Sequence, residues 1–134
     1  MKRFPVVPLL LAIACRSPTP AEQMDAIVSW VGTATMAGEA WLRHTTPDKY
    51  TRQTLELSNR TLVQIADDLL KSPLPPAVDS AGLHSVISRS SSHIAEMVRL
   101  VEQKNSPGFT KQLDSLRLDQ QLVRRLSESI ESSQ

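Results

Sequence analysis

From residue 20 onward, apolar side chains recur every three or four positions in four successive stretches, and a proline stands at each boundary between them. That spacing is the signature of one helical face. In the first stretch, about 20–44, Met24, Ile27, Val28, Val31, Thr35, Gly38 and Leu42 form a stripe, with Trp30, Ala34, Ala37 and Trp41 beside it. Together they cover nearly half the circumference, which predicts a helix touching two neighbours, with Ala34, Ala37 and Gly38 allowing close approach. The second stretch, about 47–71, aligns Leu55, Leu62, Ile65, Ala66 and Leu69 opposite Arg52, Glu56, Arg60, Gln64 and Asp67, an amphipathic helix. In the third, about 76–104, Leu83, Ile87, Ser90, Ile94, Met97 and Val101 alternate by four and three, the period of near-parallel bundle packing. The fourth, about 107–132, carries Phe109, Leu113, Leu116, Val123, Leu126 and Ile130, with Leu118 and Leu122 on a flank.

The boundaries carry helix-start chemistry. Thr19-Pro20-Ala21-Glu22 reads as a capping box with proline in the first turn, where its missing N–H costs nothing. Thr46-Pro47-Asp48 repeats the device, Leu74-Pro75-Pro76 ends one helix and starts the next, and Ser106-Pro107 opens the last. Four helices of about 25 residues joined by short loops force antiparallel neighbours. The expected fold of residues 20–134 is therefore all-α, an antiparallel up-down-up-down four-helix bundle, each helix roughly 35 Å long at 1.5 Å per residue.

Composition agrees. The chain of 134 residues holds 40% apolar and 22% charged residues, ordinary for a folded domain, while 4% aromatics and four glycines suit helices better than strands. The formal charge of +1 gives no basic field for nucleic acid.

The first fifteen residues, MKRFPVVPLLLAIAC, differ in kind. Lys2 and Arg3 precede an apolar stretch from Phe4 to Ala14, within the range of a secretion signal and about half of what a bilayer-spanning helix needs. Leu11-Ala12-Ile13-Ala14-Cys15 resembles the lipobox of bacterial lipoprotein precursors, although Ala12 stands where that family more often has leucine. The resemblance covers residues 1–15 and implies removal of a signal peptide, residues 1–14, and lipidation of the Cys15 thiol, with diacylglycerol and an acylated (palmitate-type) amine as the anchor. Residues 15–19 would then be a lipidated tether. Arg16, where aspartate would favour inner-membrane retention, leans the resemblance towards the periplasmic face of an outer membrane. Ala12-Ile13-Ala14 is also an A-x-A site at which ordinary cleavage would release a soluble secreted or periplasmic protein. Cys15 is the only cysteine, so no internal disulfide can form.

Chemistry-bearing patterns are sparse. A bundle-core di-iron site wants glutamates and Glu-x-x-His pairs; only the reversed His93-Ile94-Ala95-Glu96 occurs, which reads as a boundary or surface pair. His84 and His93 fall on opposite sides of one helix, and His44 sits at a helix end. Ser85, Ser88, Ser90, Ser91 and Ser92 lack any nucleophile-elbow context, and no glycine-rich phosphate loop exists. No catalytic residue, cofactor or metal is expected. Asp67-Asp68 and Arg124-Arg125 read as solvated faces. Trp30, Trp41 and Tyr50 read first as bulk in an aromatic-poor core, and alternatively as a groove for an apolar ligand or a partner-binding patch. The expectation is a non-enzymatic envelope lipoprotein that interacts with a membrane through its lipid and with another envelope protein through the bundle; a binder of a small apolar or lipid-like ligand is the alternative.

Overall fold

A computed structural model describes residues 17–133. They form four α-helices: α1 (Pro20–Leu42), α2 (Asp48–Lys71), α3 (Ser80–Glu102) and α4 (Ser106–Ser133). Each packs against two neighbours, closing the ring α1–α2–α3–α4–α1 with only a light diagonal touch between α1 and α3. The fold is the four-helix bundle that the periodicity predicts. The expected signal segment, Cys15 and Arg16 lie outside the described residues.

The core follows the stripes. Met24, Ile27 and Val31 from α1, Leu55, Leu62 and Leu69 from α2, Leu83, Ile94 and Met97 from α3, and Phe109, Leu113 and Leu116 from α4 are fully buried. Burying one such side chain is worth about 1.5–3 kcal/mol, so this shared interior, not helix propensity, holds the four helices. Val28, Leu42, Ile65 and Leu126 sit at the margin of the core, packed against it but half-buried. The flanking Leu118 is 64% exposed and Leu122 37%. Ser90, the expected polar core position, is fully buried and donates its hydroxyl to the Val86 carbonyl at 2.8 Å. Gly38 fits where it does because a β-carbon there would stand 3.0–3.2 Å from Met97, Leu113 and Phe109.

Helix starts depart from expectation at two places. The Thr19 capping box forms, with the Glu22 amide donating to Thr19 Oγ1 and the Thr19 amide to Glu22 Oε1, each at 3.2 Å. At α2, however, the cap residue is Pro47, whose side chain has no acceptor to offer, and the Thr46 hydroxyl expected to cap is turned to Thr51 at 3.0 Å. Helix α3 begins at Ser80 rather than near 76. Val78 folds inward in a turn whose amide donates to the Pro75 carbonyl, and Asp79 then caps the helix by accepting from the Gly82 amide at 2.9 Å. Asn105 does the same for α4 by accepting from Gly108 at 3.0 Å.

The two corners at one end of the bundle share a construction. Helix α1 closes with amide-to-carbonyl bonds Arg43 to Glu39, His44 to Trp41 and Thr45 to Ala40; α3 closes with Gln103 to Arg99, Lys104 to Val101 and Asn105 to Leu100. In each, the residue past the C-cap takes a left-handed backbone, φ 60° at His44 and 54° at Lys104, which turns the chain back within a few residues. The other end carries the α1 N-terminus, the Ser72–Asp79 connection and the α4 C-terminus.

Candidate functional site

The polar chemistry that reaches furthest inward lies on the seam between α3 and α4. Asp119 is the one acidic side chain buried among the described residues, at 4% exposure. Its Oδ1 accepts from Arg89 Nε at 3.4 Å and Nη2 at 3.1 Å, and Arg89 Nη1 donates to Ser85 Oγ at 3.3 Å. His93, one turn further along α3, stands with Nε2 3.5 Å from Asp119 Oδ2, while its Nδ1 meets Gln112 Oε1 at 2.8 Å. Asp119 Oδ2 has no hydrogen-bond partner. Burying a carboxylate is costly unless charge and hydrogen bonds compensate, and Arg89 supplies both on one oxygen only.

This arrangement clamps the seam. In a nucleophile-activating relay, the imidazole nitrogen away from the carboxylate faces a hydroxyl; here it faces the Gln112 amide. The expected His93–Glu96 pairing is corrected: Glu96 pairs with Arg99 one turn on, whereas His93 turns across to α4. Among the described residues no group of three or more His, Cys, Asp or Glu could hold a metal ion. Sequence periodicity missed Asp119 as a partner of Arg89 because thirty residues separate them. Its trace was a single acid between Leu116 and Val123 on an otherwise apolar stripe.

The three aromatic residues singled out from the sequence have different fates. Trp41 is 8% exposed, donates its indole N–H to Asp48 Oδ1 at 2.8 Å, and packs tilted against Phe109 with ring centroids 4.6 Å apart. Asp48 is also bound by Lys104, and this ammonium, then the Trp41 indole, hold its carboxyl below the ordinary 3.8. Trp30 is half-buried on the α1 shoulder that leans on α2, and Tyr50 is 59% exposed. Trp41 is thus a corner residue, while Trp30 and Tyr50 remain at the surface.

Those two border the least charged face of the molecule. Between Asp25 and Glu39 the chain has thirteen residues, Ala26 to Gly38, without one charged side chain. Asp25, Gly32 and Glu39 mark the shoulder of α1 against α4, through Ser127 Oγ, the Gln120 amide and Arg117 respectively. Trp30 and Ala37 mark the shoulder against α2. What remains outward is Ala26, Ser29, Thr33, Met36 and Ala40, with Met36 70% exposed. On α2, Asn59 and Arg52 face α3 through Ser91 and Glu102, so Tyr50 and Leu57 lie on the opposite shoulder, beside α1. Leu57 is 46% exposed.

Grooves elsewhere are shallow. One of about 340 Å³ between α3 and α4 is lined by Val86, Leu122 and Leu126 with Arg89 and Arg125 at its rim, and one of about 190 Å³ lies between α2 and α3 beside Val63, Leu70 and Ile87. Among the described residues, no helix is long and apolar enough to cross a membrane. Comparison with protein-family models, with curated proteins and with solved structures finds no match.

Proposed function

We propose that this protein is an envelope lipoprotein that holds a non-enzymatic helical interaction module at a membrane surface, with lipid on Cys15 as the anchor. The observation that carries the reading is positional. The chain's single cysteine directly follows an export-type apolar stretch and precedes the Thr19 capping box by four residues. Arg16 to Thr19 then span at most about 14 Å, which keeps the α1 end of the bundle close to the lipid headgroups. Two or three acyl chains anchor firmly where one is marginal. Arg16 after the cysteine favours the periplasmic face of an outer membrane where the organism has one. The uncharged α1 face with Trp30, Met36, Tyr50 and Leu57 is the working surface, since depletion of charge with retention of aromatics and methionine is the composition of an interface centre.

A second reading, binding of an apolar or lipid-like ligand, is favoured by the groove of Val86, Leu122 and Leu126, where Arg125 suits an acyl carboxylate although Asp79 lines the same groove and Arg89 is held by Asp119. Fractionation tests the first reading: wild type should sediment with membranes and resist high salt, and Cys15→Ser should appear in the soluble fraction. Equal distribution of the two forms would contradict it. Titration of a fluorescent acyl probe tests the second: wild type should bind it and Arg125→Glu should bind it more weakly, and no binding to wild type would contradict that reading.

A further inference from the structure

We propose that the connection between α2 and α3 is a second interaction surface, independent of the α1 face and of the anchor, which presents a polyproline-II edge to a protein domain with an aromatic-lined groove. Residues 43–47 and 103–105 suffice to turn the chain at the other two corners, whereas this one takes residues 72–79 and contains Pro73, Pro75 and Pro76. Reversal alone does not require that length.

The prolines set the backbone. Each locks its own φ near −65° and disfavours the helical region for the residue before it, so Ser72, Leu74 and Pro75 are driven to ψ of about +120 to +160°. Ser72, with φ −87° and ψ 150°, stands in that region. A polyproline-II strand has three residues per turn and rises about 3.1 Å per residue, which puts Pro73 and Pro76 on one edge, about 9 Å apart. Burial picks out the same edge. Pro73 and Pro76 are exposed, while Leu74 and Pro75 between them are half-buried and Leu74 packs against the core.

Both ends of the strand are pinned. Ser72 donates its amide to the Leu69 carbonyl at 3.1 Å and its hydroxyl to the Asp68 carbonyl at 3.2 Å; past Pro76, Val78 is buried and its amide returns to the Pro75 carbonyl at 3.0 Å. A strand already held in its bound form loses little freedom on docking. Among the described residues the carbonyls of Pro73 and Leu74 accept no hydrogen bond, so both are open to a donor from outside. This chemistry selects the class of partner. A pairing β-strand does not fit, because three of the four residues 73–76 have no N–H to give a ladder. A lipid surface fits poorly, because residues 72–77 expose neither an aromatic nor a long apolar side chain. An aromatic-lined groove fits both features: it receives the two exposed rings and donates to the open carbonyls. Lys71 stands just before the strand with its ammonium on Asp67 at 2.9 Å, both largely exposed, a pair weak enough to exchange for a carboxylate beside such a groove.

The test is titration of isotope-labelled domains of the WW type and of the Src-homology proline-binding type with the purified full chain, followed by the chemical shifts of the aromatic residues in their grooves. A contact this small belongs with the weakest specific interfaces, so a dissociation constant on the order of 100 µM is expected. Pro73→Ala combined with Pro76→Ala should weaken binding at least tenfold with an unchanged circular dichroism spectrum, whereas Pro75→Ala, on the inner side, should stay within twofold of wild type. A synthetic peptide of residues 71–77 should bind more weakly than the folded chain, because it has still to be ordered. Absence of binding to every domain of both types would overturn the proposal, as would a double variant that binds like wild type, a peptide that binds more tightly than the chain, or a loss in Pro75→Ala equal to that of the double variant. Binding should be the same in a Cys15→Ser background, so failure of the anchor and failure of this surface are read apart.

Discussion

Asp119 and the two α1 glycines show how much a single side chain decides here. Asp119 keeps one oxygen on Arg89 and leaves the other without a hydrogen bond, in an interior where unpaired polar atoms are costly. Arg89 is half in solvent and can be rehydrated if its partner is lost. Asp119→Ala should therefore cost about 1–3 kcal/mol, less than breaking a fully buried pair, whereas Asp119→Leu, which fills the space without a charge to desolvate, should cost clearly less. Urea denaturation of both variants decides; a leucine variant that loses as much stability as the alanine one would mean that the carboxylate is a net stabiliser. The glycines separate packing from propensity. A β-carbon at Gly32 meets only the Gln120 amide at 3.3 Å, so Gly32→Ala should gain about 0.5–1 kcal/mol from helix propensity. Gly38→Ala meets the Phe109 ring and two aliphatic ends and should lose about 1–2 kcal/mol, as overpacked cores do. Thermal unfolding should move in opposite directions for the two.

At the scale of elements, the helices are set by caps and corners as much as by stripes. Asp79→Ala removes the only side-chain cap of α3 and should cost about 1 kcal/mol in urea unfolding, while Asp79→Ser should restore most of it. Asp48 joins the two like-built corners, receiving Trp41 from one and Lys104 from the other. Its folded carboxyl is held below 3.8, so the stabilisation it brings is fully present above that ordinary value and is lost as the pH falls below it, through the lower folded value. The urea midpoint of wild type should exceed that of Asp48→Asn near neutral pH, with the gap narrowing as the pH falls below 3.8. A gap that does not change with pH would show that the Asp48 charge contributes nothing to stability. Helix number, order and most core positions were legible in the sequence because a period of three and four states which face is buried. The start of α3 was not, because Pro75 and Pro76 signal a break equally well before a helix or before a turn, and only the inward fold of Val78 decides between them. The Arg89–Asp119 clamp was illegible for a different reason: its partners share no local spacing, and tertiary packing alone brings them together.

For the molecule as a whole, the fold and the N-terminal chemistry bear on different questions. The bundle closes its own core, joins α3 to α4 through Arg89 and Asp119 and leaves α1 without a charge from Ala26 to Gly38. The tryptophans illustrate why the site was only partly legible: Trp30 and Trp41 share a helical face in the sequence, yet the chain reversal at His44 brings Asp48 beneath Trp41 and closes it in, while Trp30 stays at the surface. An apolar stripe tells which residues can be buried, and the corner decides which of them are. The proposed lipid on Cys15 would hold the bundle at a membrane by its α1 end. Intact-mass spectrometry of the protein purified from its native membranes measures that claim directly. The account predicts a chain beginning at Cys15 and heavier than the polypeptide by a diacylglyceryl group, with or without a further acyl chain; an unmodified chain beginning at Cys15, or one retaining residues 1–14, would contradict it.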